Sequence, residues 1–293
     1  MSNSTTERKA FFKKIRGQET EGAEMSFIDH LEVLRWHLMR SAIVLVVVAI
    51  GVFVYVDWIF DNIIFAPARK DFVTYTGLCN LGHRLHIGDA LCMPPVDIQL
   101  LGSTVSGPFM SAISISFMGA IIIAFPYLMW ELWRFVKPAL SSKEINYAKG
   151  SIGWVSLCFF TGAAFGYFLL APFTFNFLAN FQLGTLGVYK YLPTLDDYID
   201  TLTSLILGCG IAFELPVLAY VLSKLGLITP KFLKTYRKYA YVVILIVAAV
   251  ITPSPDWTSQ TIVAVPLIIL YEISILISKR VDKQRIKEEA QWD

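Results

Sequence analysis

Long runs free of charged side chains alternate with short segments that crowd them. Sixteen uncharged residues, Ser41–Val56, follow Arg40; 33 follow Asp97, as Ile98–Trp130; 40 follow Lys149, as Gly150–Tyr189. Thr201–Ser223 carries one charge, Glu214; Tyr239–Pro255 carries none; Trp257–Ser278 carries one, Glu272. A helix needs about 20 apolar residues to cross a bilayer. The pattern therefore predicts an all-α polytopic membrane protein with six transmembrane helices, at about 38–57, 108–131, 151–176, 200–223, 238–252 and 258–277. Helices rather than barrel strands are expected, because the runs lack ten-residue alternation and a helix satisfies its own backbone.

Two spans depart from the norm. The 40-residue run exceeds one upright helix, and Pro172 with Asn176–Asn180 predicts that its far part leaves the bilayer. Span five has fourteen residues between Lys238 and Pro253, about 21 Å of helix against a hydrocarbon core of about 30 Å. Such a hairpin is expected to thin the bilayer beside it. Ahead of span one, Ile28, Leu31, Leu34 and Leu38 repeat at helical spacing, predicting an amphipathic lead-in over Ser26–Arg40.

Composition agrees: of 293 residues, 55% are hydrophobic and 16% charged, against about 25% charged in soluble proteins. A disordered chain, a collagen and a coiled coil are excluded. The 25 cationic residues sit between and beside the apolar runs, and alternate segments hold 21 and 4 of them. The positive-inside rule places both termini in the cytoplasm. The polar first 25 residues predict no cleavable signal peptide. Arg8–Arg16 (RKAFFKKIR) is read either as a segment lying on anionic lipid or as a solvated tail. The expected organisation is a flexible cytoplasmic tail at 1–25, a six-span membrane domain at 26–278 with a large outer loop at 58–107, and a cytoplasmic tail at 279–293.

Prolines 108, 126, 172, 216 and 266 fall in or beside spans. Each removes a helix donor, which favours kinked helices in a curved, concave arrangement. Gly162 and Gly166 form a small-xxx-small pair, read as helix packing. Cys158 and Cys209, inside spans, are expected as apolar free thiols. Cys79 and Cys92 lie in the outer loop with His83 and His86. A disulfide, free thiols and a metal are open readings there; C-x3-H-x2-H-x5-C matches the usual zinc spacings poorly.

Candidate chemistry is sparse. The HExxH, GxSxG, GxGxxG and P-loop patterns are missing, so no enzyme activity and no cofactor or metal is expected. Glu214 stands mid-span, with thirteen uncharged residues before it in that run. Intramembrane carboxylates are costly and usually face a cavity or a polar partner. Glu272 and Glu131 are expected nearer the interface, and His30 and His37 on a surface. An alternative reading is a proton- or cation-coupled secondary transporter using Glu214; it predicts internal repeats, and none is evident. An intramembrane hydrolase would need a catalytic pair, and no His falls in any span.

Four motifs carry a family resemblance. Phe27–Arg35 reads FIDHLEVLR; Phe125–Leu140 reads FPYLMWELWRFVKPAL, followed by Lys143-Glu144; Phe213–Pro216 reads FELP; Thr252–Gln260 reads TPSPDWTSQ. Together, in this order over about Ser26–Ser278, they resemble TatC, the polytopic core subunit of the twin-arginine protein translocase. The resemblance implies binding of Arg-Arg signal peptides at the cytoplasmic face. It also implies recruitment of TatA/TatB-type single-span proteins, and export of folded proteins by the proton-motive force across a bacterial inner membrane. A homo-oligomeric complex and contact with membrane lipid are implied; nucleic acid is not.

By the same resemblance, Glu144, Phe135, Pro138 and Leu140 belong to signal-peptide recognition, with Arg35 beside them. The family reads H-L-x-E-L-R near the amino terminus. Here Val33 takes the Glu position, and Glu32, one residue or about 100° of helix away, is the offset candidate; participation of Asp29 and a greater reliance on Glu144 are the other open readings. Glu214, Thr252 and Gln260 match the intramembrane polar positions at which partner helices dock. Pro67 and Asp256 match structural positions of the outer loop and the outer turn.

Overall fold

A computed structural model describes residues 27–69, 71–86, 89, 92, 99–102, 104–136, 151–180, 192–224, 226–252 and 257–289, with the side chains of all but 27–30, 151, 258–259 and 285–289. The chain forms two compact units, 1–40 and 41–293.

The helices, in order, are α1 (Phe27–Val54), α2 (Val56–Ile59), α3 (Val73–Arg84), α4 (Gly107–Val136), α5 (Ser151–Phe165), α6 (Ala171–Asn180), α7 (Leu195–Ala212), α8 (Leu215–Lys224), α9 (Pro230–Thr235), α10 (Arg237–Ile251) and α11 (Trp257–Glu289). Five helical runs are long and apolar enough to cross a membrane: Leu31–Val54, Gly107–Val136, Ile152–Asn180, Leu195–Lys224 and Gln260–Gln284. The span-five segment is helical as α10, but its 15 residues reach about 22 Å, short of a bilayer. Many large apolar side chains face outward, among them Val47 at 62% and Val250 at 78% exposure. In water such a surface would aggregate; in lipid it is the solvated face. The protein is an all-α multi-pass membrane protein.

Because lipid tails are as apolar as leucine, helices in a bilayer associate by close packing rather than hydrophobic exclusion. Gly162 and Gly166 supply it. A Cβ on Gly162 would lie 2.5 Å from the Cys209 carbonyl oxygen, and one on Gly166 2.5 Å from that of Leu205. Backbone therefore meets backbone where α5 and its π-helical continuation Gly166–Leu170 cross α7. Around this seam Ile115, Leu202, Leu205, Ala248, Val263 and Leu267 form a fully buried core from α4, α7, α10 and α11.

The third span stays helical past Pro172, and α6 runs on to Asn180. The proline is buried and has no N–H to return to the Phe168 carbonyl four residues back. The Thr74 hydroxyl of α3 donates to that carbonyl instead. Next to it the Tyr75 hydroxyl donates to Pro67 O at 3.0 Å and Pro172 O at 3.3 Å. Burial pushes the Tyr75 phenol up to about 12, so it remains a donor at physiological pH. Thr74→Val keeps the shape and removes the donor. It should destabilise the protein by about 1 kcal/mol, read as a lower melting midpoint in detergent.

The long first loop is thus a folded cap. After α2 the chain turns through a π segment, Phe60–Ile64, and a 3-10 turn, Ala66–Ala68. Carbonyls at the end of a helix lack intrahelical donors. Here the Tyr167 hydroxyl donates to Ile63 O (2.7 Å) and the Tyr198 hydroxyl to Ile64 O (2.6 Å). An isolated parallel bridge, Leu101 with Thr194, ties the end of the cap to the start of α7. There Thr194 caps the helix by accepting from Asp197 N.

Candidate functional site

The family resemblance assigns recognition to Glu32, Arg35, Phe135, Pro138, Leu140 and Glu144. Glu32 and Arg35, three apart on α1, are both exposed and lie in the 1–40 unit. Phe135 sits half-buried in the last turn of α4. Glu144, Pro138 and Leu140 lie outside the described residues. Another acid of the same segment, Glu131, is 1% exposed. It accepts from the Tyr127 hydroxyl at 2.9 Å and lies 3.8 Å from Arg134. Three- and four-residue spacings on one helix make these contacts possible, and that spacing was the available signal for a satisfied acid.

Glu214 stands at a break in span four. Phe213 and Glu214 form a turn between α7 and α8, and Pro216, at the second position of α8, has no N–H for the Ala212 carbonyl. The break places Glu214 beside Cys158 and Phe159 of α5. The side chain is half-buried, and its Oε1 is buried without a hydrogen-bond partner among the described residues. A buried polar atom without a partner costs about 1–3 kcal/mol. It offers an acceptor to a donor arriving within the membrane.

The acid of α11 is different. Glu272 of α11 accepts from Tyr241 Oη at 2.6 Å and from Arg237 Nη2 at 2.6 Å, both on α10. Tyr271 of α11 donates to Leu233 O of α9 at 2.8 Å. These bonds strap α9 and α10 to α11 at one end of the hairpin.

At the other end lie the two residues read from the sequence as a docking patch. Thr252 is buried, and its hydroxyl donates to Ala248 O at 2.9 Å. Gln260 Nε2 donates to Leu245 O at 3.0 Å, stitching α11 to α10. Thr252 thus donates within its own helix, whereas Gln260 donates across to α10. Asp256 lies outside the described residues. In the cap, Pro67 is buried and its carbonyl anchors Tyr75. Cys79 and Cys92 are joined by a disulfide with a Cα–Cα distance of 4.3 Å.

Known proteins share this arrangement. The family Sec-independent protein translocase protein (TatC) matches residues 29–266. A TatC protein of Blattabacterium sp. subsp. Periplaneta americana is 38% identical over 270 residues, 91% of this chain and 100% of the relative. One from Aquifex aeolicus is 33% identical over 89% of this chain and 98% of its own length. The crystal structure of a twin-arginine translocase receptor, TatC, superposes with a TM-score of 0.67 at 32% identity, covering 86% of this chain and 99% of that one. With 238 consecutive positions inside one family's bounds and a shared fold, this chain belongs to the TatC family of Sec-independent protein translocase proteins.

Proposed function

We propose that this chain is the receptor of a twin-arginine translocase in a bacterial inner membrane, with six spans and both termini in the cytoplasm. The observation that carries the reading is the family match over residues 29–266, alongside a solved receptor of the same fold. The cation distribution, 21 against 4, supports the orientation, and α10 is the short fifth span.

Recognition follows from charge. An Arg-Arg signal peptide brings two planar guanidinium groups to the cytoplasmic face, and carboxylates meet them by bidentate, charge-assisted hydrogen bonds. Glu144 is the principal acceptor, with Phe135, Pro138 and Leu140 of its own segment providing apolar contact, and Glu32 is the offset second acceptor, with Arg35 on its helix. Lysine matches this geometry poorly because its ammonium is a compact point charge. A photoreactive side chain placed at Leu140 should therefore capture an Arg-Arg signal peptide and not its Lys-Lys counterpart. Equal capture of the two would overturn the reading.

Single-span TatA/TatB-type partners dock at Glu214, with Gln260 as a further acceptor. Interhelical hydrogen bonds in membranes stabilise association by about 0.6–2 kcal/mol each. Glu214→Ala should thus leave peptide capture intact and reduce co-purification of the partners by roughly 3- to 30-fold. Loss of both together would assign Glu214 to folding instead. Export of folded proteins then draws on the proton-motive force; the chain contributes recognition and assembly rather than covalent chemistry.

A further inference from the structure

The cap holds a group of side chains that neither peptide recognition nor partner docking uses. Cys79, His83, Asp89 and Cys92 each present one ligand atom, and these atoms all lie within 4.8 Å of one another. Cys79 and His83 are four residues apart on α3, hence on one face of the helix. Beyond the helix, His86 takes a left-handed conformation, φ 57°, and Cys92 N–H donates to Asp89 O at 2.9 Å. His83 Nε2 is 2.9 Å from Asp89 Oδ1, and Cys92 Sγ is 3.7 Å from the same oxygen.

We propose that, with the cysteines reduced, this cluster binds one Zn2+ through two thiolates, one imidazole and one carboxylate. A tetrahedral zinc with bonds of about 2.0–2.3 Å has ligand atoms roughly 3.3–3.8 Å apart. The oxygen and the Cys92 sulfur already stand at that spacing, 3.7 Å apart, and the nitrogen is 2.9 Å from the same oxygen. The required movement is separation of the two sulfurs, which the disulfide holds together. Spacing along the chain concealed the set, since C-x3-H followed by D-x2-C is not a familiar zinc pattern; the folded turn brings it together. His83 and Asp89 are 57% and 87% exposed, so an ion reaches them from solvent.

The chemistry balances as two exchanges. A dithiol donor passes two electrons and two protons to the Cys79–Cys92 bond and closes to its own disulfide, leaving two protein thiols. Zn2+ then displaces the two thiol protons to solvent and takes both sulfurs as thiolates. The same loop is therefore closed by a covalent bond when oxidised and by a metal when reduced.

The test uses the full chain in detergent, with Cys158 and Cys209 changed to alanine so that the cap holds the remaining thiols. After reduction by a dithiol and its removal without air, Co2+ is added as the spectroscopic probe. The expected result is one Co2+ per chain, with thiolate-to-cobalt charge transfer in the near ultraviolet and tetrahedral visible bands, bleached by one equivalent of Zn2+. The oxidised protein should give none of these. His83→Gln and Asp89→Asn should each weaken binding by about tenfold or more, and His86→Gln should not. Absence of the bands in the reduced protein, or bands unchanged in both His83→Gln and Asp89→Asn, would overturn the proposal.

Discussion

Glu144→Ala should reduce capture of an Arg-Arg signal peptide to the level of a Lys-Lys peptide. Between Glu131 and Gly150 the chain has two acids, Glu131 and Glu144. Glu131 is buried and committed to Tyr127 and Arg134, so the proposed recognition in this segment rests on Glu144. Truncating one partner of a close charge pair at an interface costs about 2–5 kcal/mol, which is a loss of roughly 30-fold or more in affinity. Glu144→Gln keeps the shape and loses the charge, so it should fall equally. Glu144→Asp keeps the charge on a shorter arm and should retain part of the binding. Because charge dominates, wild-type binding should also weaken as ionic strength rises. Undiminished capture by Glu144→Ala would remove this carboxylate from the site.

Gly166→Leu should prevent accumulation of folded protein. The first atom of any side chain at this position would stand 2.5 Å from Leu205 O and 3.0 Å from Ile206 Cα. Both obstacles are backbone, which cannot rotate aside as a side-chain tip can. The third span would have to move away from α7, opening the seam that also holds Gly162 against Cys209. Overpacking of a close contact costs about 1–3 kcal/mol even where side chains can adjust, and here a whole helix must shift. Gly166→Ala tests the same contact with the smallest group and should already lower the melting midpoint. By contrast Gly153 on α5 has open space around its Cα, and Gly153→Ala should be tolerated. If Gly166→Leu folds as well as Gly153→Ala, the seam is not what holds these spans together.

The spans were legible because lipid imposes one rule on long stretches of chain: a residue without charge next to another without charge. The same rule exposed Glu214 as an exception and α10 as too short. The glycine pair was legible from its four-residue period, though nothing in that period says which helix it meets. What the pattern could not show were contacts between residues far apart in the chain. Thr74 answering the carbonyl freed by Pro172 joins positions 94 residues apart, and the pairing leaves no periodic trace. For the same reason the first loop read as a loop, although α3 within it is a helix of twelve residues. That Glu131 is covered by its own helix neighbours was not read from hydropathy; its partners, Tyr127 and Arg134, stand four and three residues away. The carboxylate Glu144 came from motif likeness, since charge counting does not distinguish a binding acid from a solvated one.

The cap's attachment to the third and fourth spans has a mechanical consequence. Four hydrogen bonds join it to them: Thr74 to Phe168, Tyr75 to Pro172, Tyr167 to Ile63 and Tyr198 to Ile64. They connect at neighbouring points on rigid helices, so they load together rather than one after another. A tilt of the third span is therefore transmitted to α3 as a lever arm, and the cross-linked turn at its far end travels with it. A tilt of that span would in this way be displayed at the surface, where a spectroscopic label on the exposed Leu81 would register it.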